Sequence, residues 1–262
     1  MLFKRELKRN FRAFAVTTLI SSFLVIYIIS MAPTFGTDIQ QILDMKMPKE
    51  LQNAIGMKGL DYSSASSFYA IAFSYVYLFL GIYVAGAFAA VVSKEFSDKT
   101  AEYLFSLPAK RSRIIITKLM VTSLYALGSV LIIYIASLVS FAAFIDQDYS
   151  RAAIALIALA WLMGSLFFGA LAFFISSLTA QSKSASLVSI GVVVAMYLLQ
   201  VIISMNGDIS FLKYISPFDW FKGSDIIRYE SLDLKYCLVC LLMSALLIWG
   251  GIRRFVKMDV LV

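Results

Sequence analysis

The most chemically varied part of the sequence is the segment 95–113, where charged and apolar side chains alternate between two long apolar runs. Ser97 or Asp98 can cap a short helix here. Glu102 falls in the first turns of that helix, where the helix dipole favours an acid. Pro108 ends the helix, because the residue before a proline avoids helical geometry.

One face of this short predicted helix is apolar. Tyr103, Leu104 and Leu107 share that face, and basic residues follow close behind. A short apolar face beside a membrane has little hydrocarbon in which to bury, so it is shaped to fit a groove on another protein. The alternative is a loop folded under its own helix bundle. The chemistry indicated is docking rather than catalysis.

Groups for catalysis or metal binding are scarce. The 262-residue chain has no His, the commonest general base and metal ligand, and only two Cys. Cys237 and Cys240 lie in an apolar run and are expected to behave as small hydrophobes, with a redox or metal role as the alternative. A P-loop needs a Gly-Lys pair, which does not occur. We expect no catalytic residue, metal site or cofactor on this chain.

The composition is that of an integral membrane protein. Hydrophobic residues make up 61% of the chain, charged residues make up 15%, and the mean hydropathy is +0.84. Soluble domains have about 45–50% apolar and about 25% charged residues. A globule of this size cannot hide so much apolar surface from water, and disordered chains are poor in apolar residues.

Six apolar stretches are long enough to cross a bilayer, which takes about 20 residues. They are 13–32, 68–92, 120–145, 152–175, 185–205 and 236–252, and none contains Asp, Glu, Lys or Arg. We predict an all-α polytopic membrane protein in which residues 1–262 form one transmembrane domain. The first stretch is expected to be an uncleaved helix, with a signal peptide as the alternative.

Basic residues are distributed unevenly about the six predicted spans. Of the 23 Lys and Arg, 15 fall on the side of both termini, whereas 11 of the 16 acids fall on the other side. An excess of Lys and Arg marks the cytoplasmic face. Both termini and the segment 95–113 are therefore predicted to be cytoplasmic. This bias accounts for the net charge of +7, so no nucleic-acid partner is expected.

Two segments are predicted to lie at the membrane surface. Residues 1–12 form a basic amphipathic helix suited to anionic lipid, either as a plain anchor or as an elbow that also touches a cytoplasmic partner. An outer segment between the fifth and sixth spans contains crowded aromatic residues beside a proline, namely Pro217, Phe218, Trp220 and Phe221. We predict that it lies on, or dips into, the outer leaflet, with protein covering any non-helical backbone.

Small residues recur at four-residue spacing on two predicted spans. Gly81, Ala85 and Ala89 form one such stripe on the second span, and Ser165 and Gly169 form another on the fourth. Stripes of this kind let helix backbones approach closely. They serve either packing within one bundle or an interface between two subunits.

The segment 95–113 resembles the membrane subunits of ATP-binding cassette (ABC) exporters of the type-2 class. In that family an acid ends the second span, a stretch like G/K-T-x-E-x-L-L-x-x-P-x-x-R follows, and a Lys opens the third span. Here these elements are Glu95, Lys99-Thr100-Ala101-Glu102-Tyr103-Leu104-Phe105-Ser106-Leu107-Pro108, Arg111 and Lys118. Lys99 stands where Gly is usual, and Phe105 stands for the second Leu. Weaker similarities elsewhere are Pro48-Lys49-Glu50-Leu51, Ile55-Gly56, Ser176–Ala185 and Ser216-Pro217-Phe218.

The resemblance implies the permease subunit of an ABC exporter in a bacterial cell membrane. The short helix would be a coupling helix seated in a cleft of a separate cytoplasmic ATPase, which would bind ATP and Mg. Two six-span halves, identical or related, would pair above two ATPases. The missing P-loop fits this arrangement, since energy would arrive by contact. The implied coupling residues are Glu95, Thr100, Glu102, Tyr103, Leu104, Leu107, Pro108 and Arg111.

Two other functions remain as alternatives: a channel or carrier that needs no ATPase, and a membrane scaffold or sensor that transports nothing. The uncharged spans speak against proton coupling, which usually needs ionisable groups at membrane depth. They favour an amphipathic or lipid-like cargo. Seven aromatic residues of the second span either line a path or face lipid, namely Phe68, Tyr69, Phe73, Tyr75, Tyr77, Phe79 and Tyr83.

Overall fold

A computed structural model of the protein describes residues 2–46, 65–97, 111–146, 148–179, 184–205 and 207–257. These residues form helices and short connections, and no strand occurs among them. The helices are α1 (Leu2–Lys46), α2 (Ala65–Ser97), α3 (Arg111–Phe144), α4 (Arg151–Leu178), α5 (Ala185–Met205), a 3₁₀ helix (Gly207–Tyr214), α6 (Pro217–Trp220), α7 (Gly223–Tyr229) and α8 (Leu234–Val256). The predicted all-α class is confirmed.

Six of these helices, α1 to α5 and α8, are long and apolar enough to cross a membrane. Each corresponds to one predicted span, so the prediction of six spans is confirmed. The helix α3 starts at Arg111, well before the predicted span 120–145. Its 34 residues measure about 51 Å, against about 30 Å for the hydrocarbon core, so α3 extends beyond the bilayer.

The helix α1 differs from the prediction at both ends. It is continuous from Leu2, with no break at the point where a separate interface helix over 1–12 was expected to end. It also passes through Pro33 and continues to Lys46, although the predicted span ends at Ala32. Proline removes one backbone donor, and membrane helices tolerate this loss when neighbouring groups satisfy the freed carbonyl.

The helices α2 and α4 pack parallel to each other at the centre of the bundle. The Trp161 indole donates a hydrogen bond to the Phe73 carbonyl (3.1 Å) near the outer end of α2. At the other end of the pair, the Ser176 hydroxyl donates to the Ala89 carbonyl (2.8 Å). Both contacts are buried, so the two most buried spanning helices are joined by a polar contact near each end of their interface.

The remaining spans pack around this pair. The helices α1 and α3 run parallel, because Phe14 packs on Tyr125 and, further along, the Thr18 hydroxyl meets that of Ser129 at 2.9 Å. The helix α8 lies along α4, where the Cys240 thiol donates to the Met163 carbonyl at 3.4 Å. The helix α5 packs mainly on α2 and α4. Each of these contacts joins positions that the six-span topology places at a similar depth in the membrane.

Candidate coupling site and outer segment

Most of the predicted coupling residues lie outside the described residues: Thr100, Glu102, Tyr103, Leu104, Leu107 and Pro108. The helices on either side are described. Glu95 belongs to the last turn of α2, and Arg111 is the first residue of α3. The segment therefore joins the end of α2 to the start of α3. Its docking role stays a prediction.

The first turns of α3 contain a buried cation. Lys118 is 2% exposed, and its ammonium nitrogen lies 3.7 Å from a carboxylate oxygen of Glu6, which is 1% exposed. The Arg9 guanidinium donates to the other oxygen of that carboxylate. Burying a charge is costly unless an opposite charge pairs with it, so removing either partner leaves a buried charge. The ion pair ties the start of α1 to the start of α3.

Glu6 is not among the predicted site residues. A signal was present in the sequence, because Glu6 is the only acid before Asp38 and lies within a strongly basic segment. The sequence did not predict its partner, because Lys118 belongs to a different helix far along the chain. The family resemblance marks Lys118 only as the Lys that opens the third span.

The outer segment turns inward and packs against the spanning helices. The Ser216 hydroxyl donates to the Met196 carbonyl of α5 at 3.1 Å. The Tyr77 hydroxyl donates to the Pro217 carbonyl at 3.4 Å, and Tyr77 lies about 18 Å along α2 from Ala65. Protein groups therefore cover polar backbone in this segment, as buried backbone requires.

Phe218 fills the space between α2, α4 and α5. It is 3% exposed, and its ring lies 4.7 Å from the ring of Tyr77, 4.9 Å from that of Phe168 and 5.5 Å from that of Tyr197. Rings at these separations attract one another beyond the effect of burial alone. Phe218 is thus an anchor of the outer segment rather than a surface aromatic.

Of the other predicted residues of the outer segment, two are buried and one is half-buried. Pro217 begins α6 and is buried, and Phe221 is 1% exposed. Trp220 is half-buried, donates from its indole to the Tyr214 carbonyl (3.0 Å) and stacks on Tyr236. An amphipathic indole with one polar contact is typical of a membrane interface.

A carboxylate lies beside these aromatic residues. The side chain of Asp219 is 1% exposed, and one of its oxygens lies 2.6 Å from the Lys222 ammonium. Burial raises the pKa of the Asp219 carboxyl above its ordinary value, and the nearby Lys222 opposes that shift. This ion pair therefore lies in the outer segment beside the buried rings of Phe218 and Phe221.

Two glycines make this packing possible. A Cβ on Gly164 of α4 would lie 1.6 Å from the Tyr77 hydroxyl oxygen, and one on Gly223 of α7 would lie 2.8 Å from the Phe73 Cβ. Neither glycine is a predicted site residue, although Gly164 directly precedes Ser165. The predicted stripe on α4 lies next to Gly164, but the spacing did not identify the closest approach.

The five residues of the small-residue stripes are all buried inside the chain. A Cβ on Gly81 would lie 3.2 Å from Phe168, and one on Gly169 would lie 2.9 Å from Val84 and Phe88. Ala85, Ala89 and Ser165 are fully buried. This placement favours packing within one bundle over an interface between subunits.

The aromatic residues of the second span do not act as one set. Four of them are at most 5% exposed and belong to the core of the bundle, namely Phe68, Tyr69, Phe73 and Tyr77. These four neither line a path nor face lipid. Phe79 is 42% exposed and can meet lipid. Within the described residues no cluster of His, Cys, Asp and Glu could hold a metal ion.

An apolar groove of about 550 Å³ opens between α3 on one side and α4 and α8 on the other. Its α3 wall runs from Ile116 to Leu127, in the half of α3 nearest the segment 95–113. The opposite wall includes Leu166 of α4 and Ile252 of α8, and Phe88 of α2 also lines it. The groove separates α3 from α4 and α8 in this half of the bundle.

The six spanning helices and their buried interhelical contacts define a multi-pass membrane protein. A family model described as an ABC-2 family transporter protein matches residues 2–260. The chain therefore belongs to this family and is a membrane permease subunit of an ABC transporter, a family whose permeases generally partner with a separate ABC ATPase subunit. The comparison with curated proteins finds no match.

Proposed function

We propose that this permease subunit belongs to an exporter driven by ATP hydrolysis on a separate nucleotide-binding subunit. The observation that carries the proposal is the segment 95–113. Its sequence predicts an apolar docking face, and it joins the end of α2 to the start of α3. By the distribution of basic residues, that junction lies at the cytoplasmic face, where an ATPase can reach it.

The proposed complex has two ATPase subunits and two permease halves, the second half being a copy of this chain or a related one. ATP and Mg bind to the ATPases, and this chain holds no cofactor. The direction of transport rests on the resemblance of the segment 95–113 to bacterial exporters. A ligand can shift a conformational equilibrium only if it interacts differently with the two conformations. The ATPase must therefore contact the segment differently in its ATP-bound and ATP-free states.

The test is a double substitution, Glu102→Ala with Leu107→Ala, in the chain reconstituted with its ATPase in liposomes. Loss of the docking contacts is expected to abolish the stimulation of ATP hydrolysis by the permease and ATP-dependent transport. Ser106→Ala is the matched control, because Ser106 is not on the predicted apolar face formed by Tyr103, Leu104 and Leu107. Undiminished coupling in the double variant would contradict the docking role, and flux through the chain without any ATPase would contradict the proposed function.

A further inference from the structure

Polar contacts join α1 and α3 into one unit. At its cytoplasmic end the unit is held by the buried ion pair of Glu6 and Lys118, with a separation of 3.7 Å. Next along the helices, the Tyr125 hydroxyl donates to the Leu7 carbonyl. These contacts lie in the first turns of α1 and in the cytoplasmic half of α3, so that half of α3 cannot move far without the start of α1.

A second set of contacts joins α2, α4 and α5. The Ser93 hydroxyl near the end of α2 lies 3.2 Å from that of Ser186 in α5. The Ser176 hydroxyl of α4 donates to the Ala89 carbonyl of α2, and the Ser189 hydroxyl of α5 donates to the Ala172 carbonyl of α4 at 3.4 Å. The end of α2 is thereby fixed to a group of helices that does not include α3.

The two units meet differently at the two membrane surfaces. At the outer end the Tyr69 hydroxyl of α2 donates to Ser137 of α3 at 3.0 Å, and its ring packs on Phe141 and Trp161. At the inner end the apolar groove of about 550 Å³ lies between α3 and the helices α4 and α8. Packed interfaces resist deformation, whereas an open groove can change width without breaking such packing.

We propose that Glu6 and Lys118 are positioning residues that make α1 and α3 move as one lever when the segment 95–113 is displaced. The lever turns about the aromatic contacts of Tyr69 at the outer end, and the groove between α3 and α8 changes width. This inference rests on the proposed function, because the ATPase supplies the displacement. The segment bridges the two units, since it starts from α2 and ends at α3.

The experiment measures the width of the groove in the complete complex. Spin labels are attached at Ser123→Cys on α3 and Ile252→Cys on α8, which both line the groove, after Cys237 and Cys240 are replaced by Ala. Distances between the labels are recorded in nanodiscs with and without a non-hydrolysable ATP analogue. Stimulation of ATP hydrolysis is measured on the same samples without the analogue.

The variants test the ion pair itself. Lys118→Arg keeps the charge, whereas Lys118→Met removes it. Glu6→Gln combined with Lys118→Met leaves no unpaired buried carboxylate, so the double variant remains available if the single one fails to fold. Lys8→Met is the matched control, because Lys8 is exposed on the same turn of α1 as Glu6.

The inference predicts a nucleotide-dependent shift in the label distance for the wild type, Lys118→Arg and Lys8→Met. The shift is lost in the double variant, and ATPase stimulation falls about fivefold or more, the lower end of typical coupling between sites. An unchanged shift in the double variant would overturn the role of the ion pair while leaving the proposed function intact. Normal ATPase stimulation with no shift in the wild type would overturn the lever, and absence of stimulation in the wild type would overturn the proposed function.

Discussion

Tyr77 contributes to three separate parts of the packing. Its ring contacts Phe168 and Phe218, its hydroxyl reaches the Pro217 carbonyl, and Gly164 leaves the space that the hydroxyl occupies. A single tyrosine thus joins α2, α4 and the outer segment. Substitutions around it should be among the most destabilising in the protein.

A methyl group at position 164 is expected to destabilise the fold. In Gly164→Ala the new Cβ would meet the Tyr77 hydroxyl oxygen at 1.6 Å, so the ring must move, at a cost of about 1–3 kcal/mol. Thermal unfolding of the purified chain in detergent measures the change. Gly191→Ala is the control, because no atom lies within 4 Å of its Cβ and alanine favours a helix by up to about 1 kcal/mol. Equal melting temperatures for the two variants would contradict this packing.

Removal of the Phe218 ring should leave a cavity between three helices. Phe218→Ala is expected to lower the free energy of unfolding by about 3–5 kcal/mol, as is usual for a buried phenylalanine. Phe211→Ala is the matched control, since Phe211 lies in the same outer segment but is 66% exposed. Chemical unfolding in detergent compares the two, and a similar small loss for both would show that Phe218 does not anchor the segment.

At the level of helices, the hydroxyl pair of Thr18 and Ser129 reports on the contact between α1 and α3. Both residues are at most 3% exposed, and their oxygens lie 2.9 Å apart. A double-mutant cycle with Thr18→Val and Ser129→Ala should give a coupling energy of about 0.6 kcal/mol, the average for such bonds in membranes. Thermal unfolding of the four proteins supplies the cycle. Strictly additive effects would contradict the contact.

The existence and order of the helices follow from the sequence, whereas their ends do not. An uncharged apolar run has few alternatives to a spanning helix, which is why all six spans were predictable. The start of α3 at Arg111 was not, because polar residues at a helix end carry no hydrophobic signal. The passage of α1 through Pro33 was missed because proline usually ends a helix in water.

The candidate site was predictable only where its residues are neighbours in the sequence. The segment 95–113 could be recognised from local spacing and from its family pattern. The ion pair of Glu6 and Lys118, and the insertion of Phe218 beside Tyr77, each join helices that are distant in the chain. Contacts of this kind depend on how whole helices pack, and no local pattern encodes them.

For the molecule as a whole, the charge distribution predicts which surface faces the cytoplasm. The two ends of α8 provide a direct test in whole cells, using Ser231→Cys before the helix and Lys257→Cys after it, both at exposed positions. With Cys237 and Cys240 replaced by Ala, a membrane-impermeant maleimide should label position 231 in intact cells. It should label position 257 only after permeabilisation, because an excess of Lys and Arg marks the cytoplasmic side, where the end of α8 is predicted to lie. The opposite pattern would invert the topology.

We propose that an ATPase on another polypeptide drives this bundle by binding the segment just before Pro108. The most direct measurement places a photo-crosslinking amino acid at Leu107 in the living cell and identifies what it captures. We expect a crosslink to a P-loop ATPase, with a yield that changes when ATP is depleted. A crosslink at Leu107 only to lipid or to this same chain, at unchanged yield after ATP depletion, would contradict the proposal.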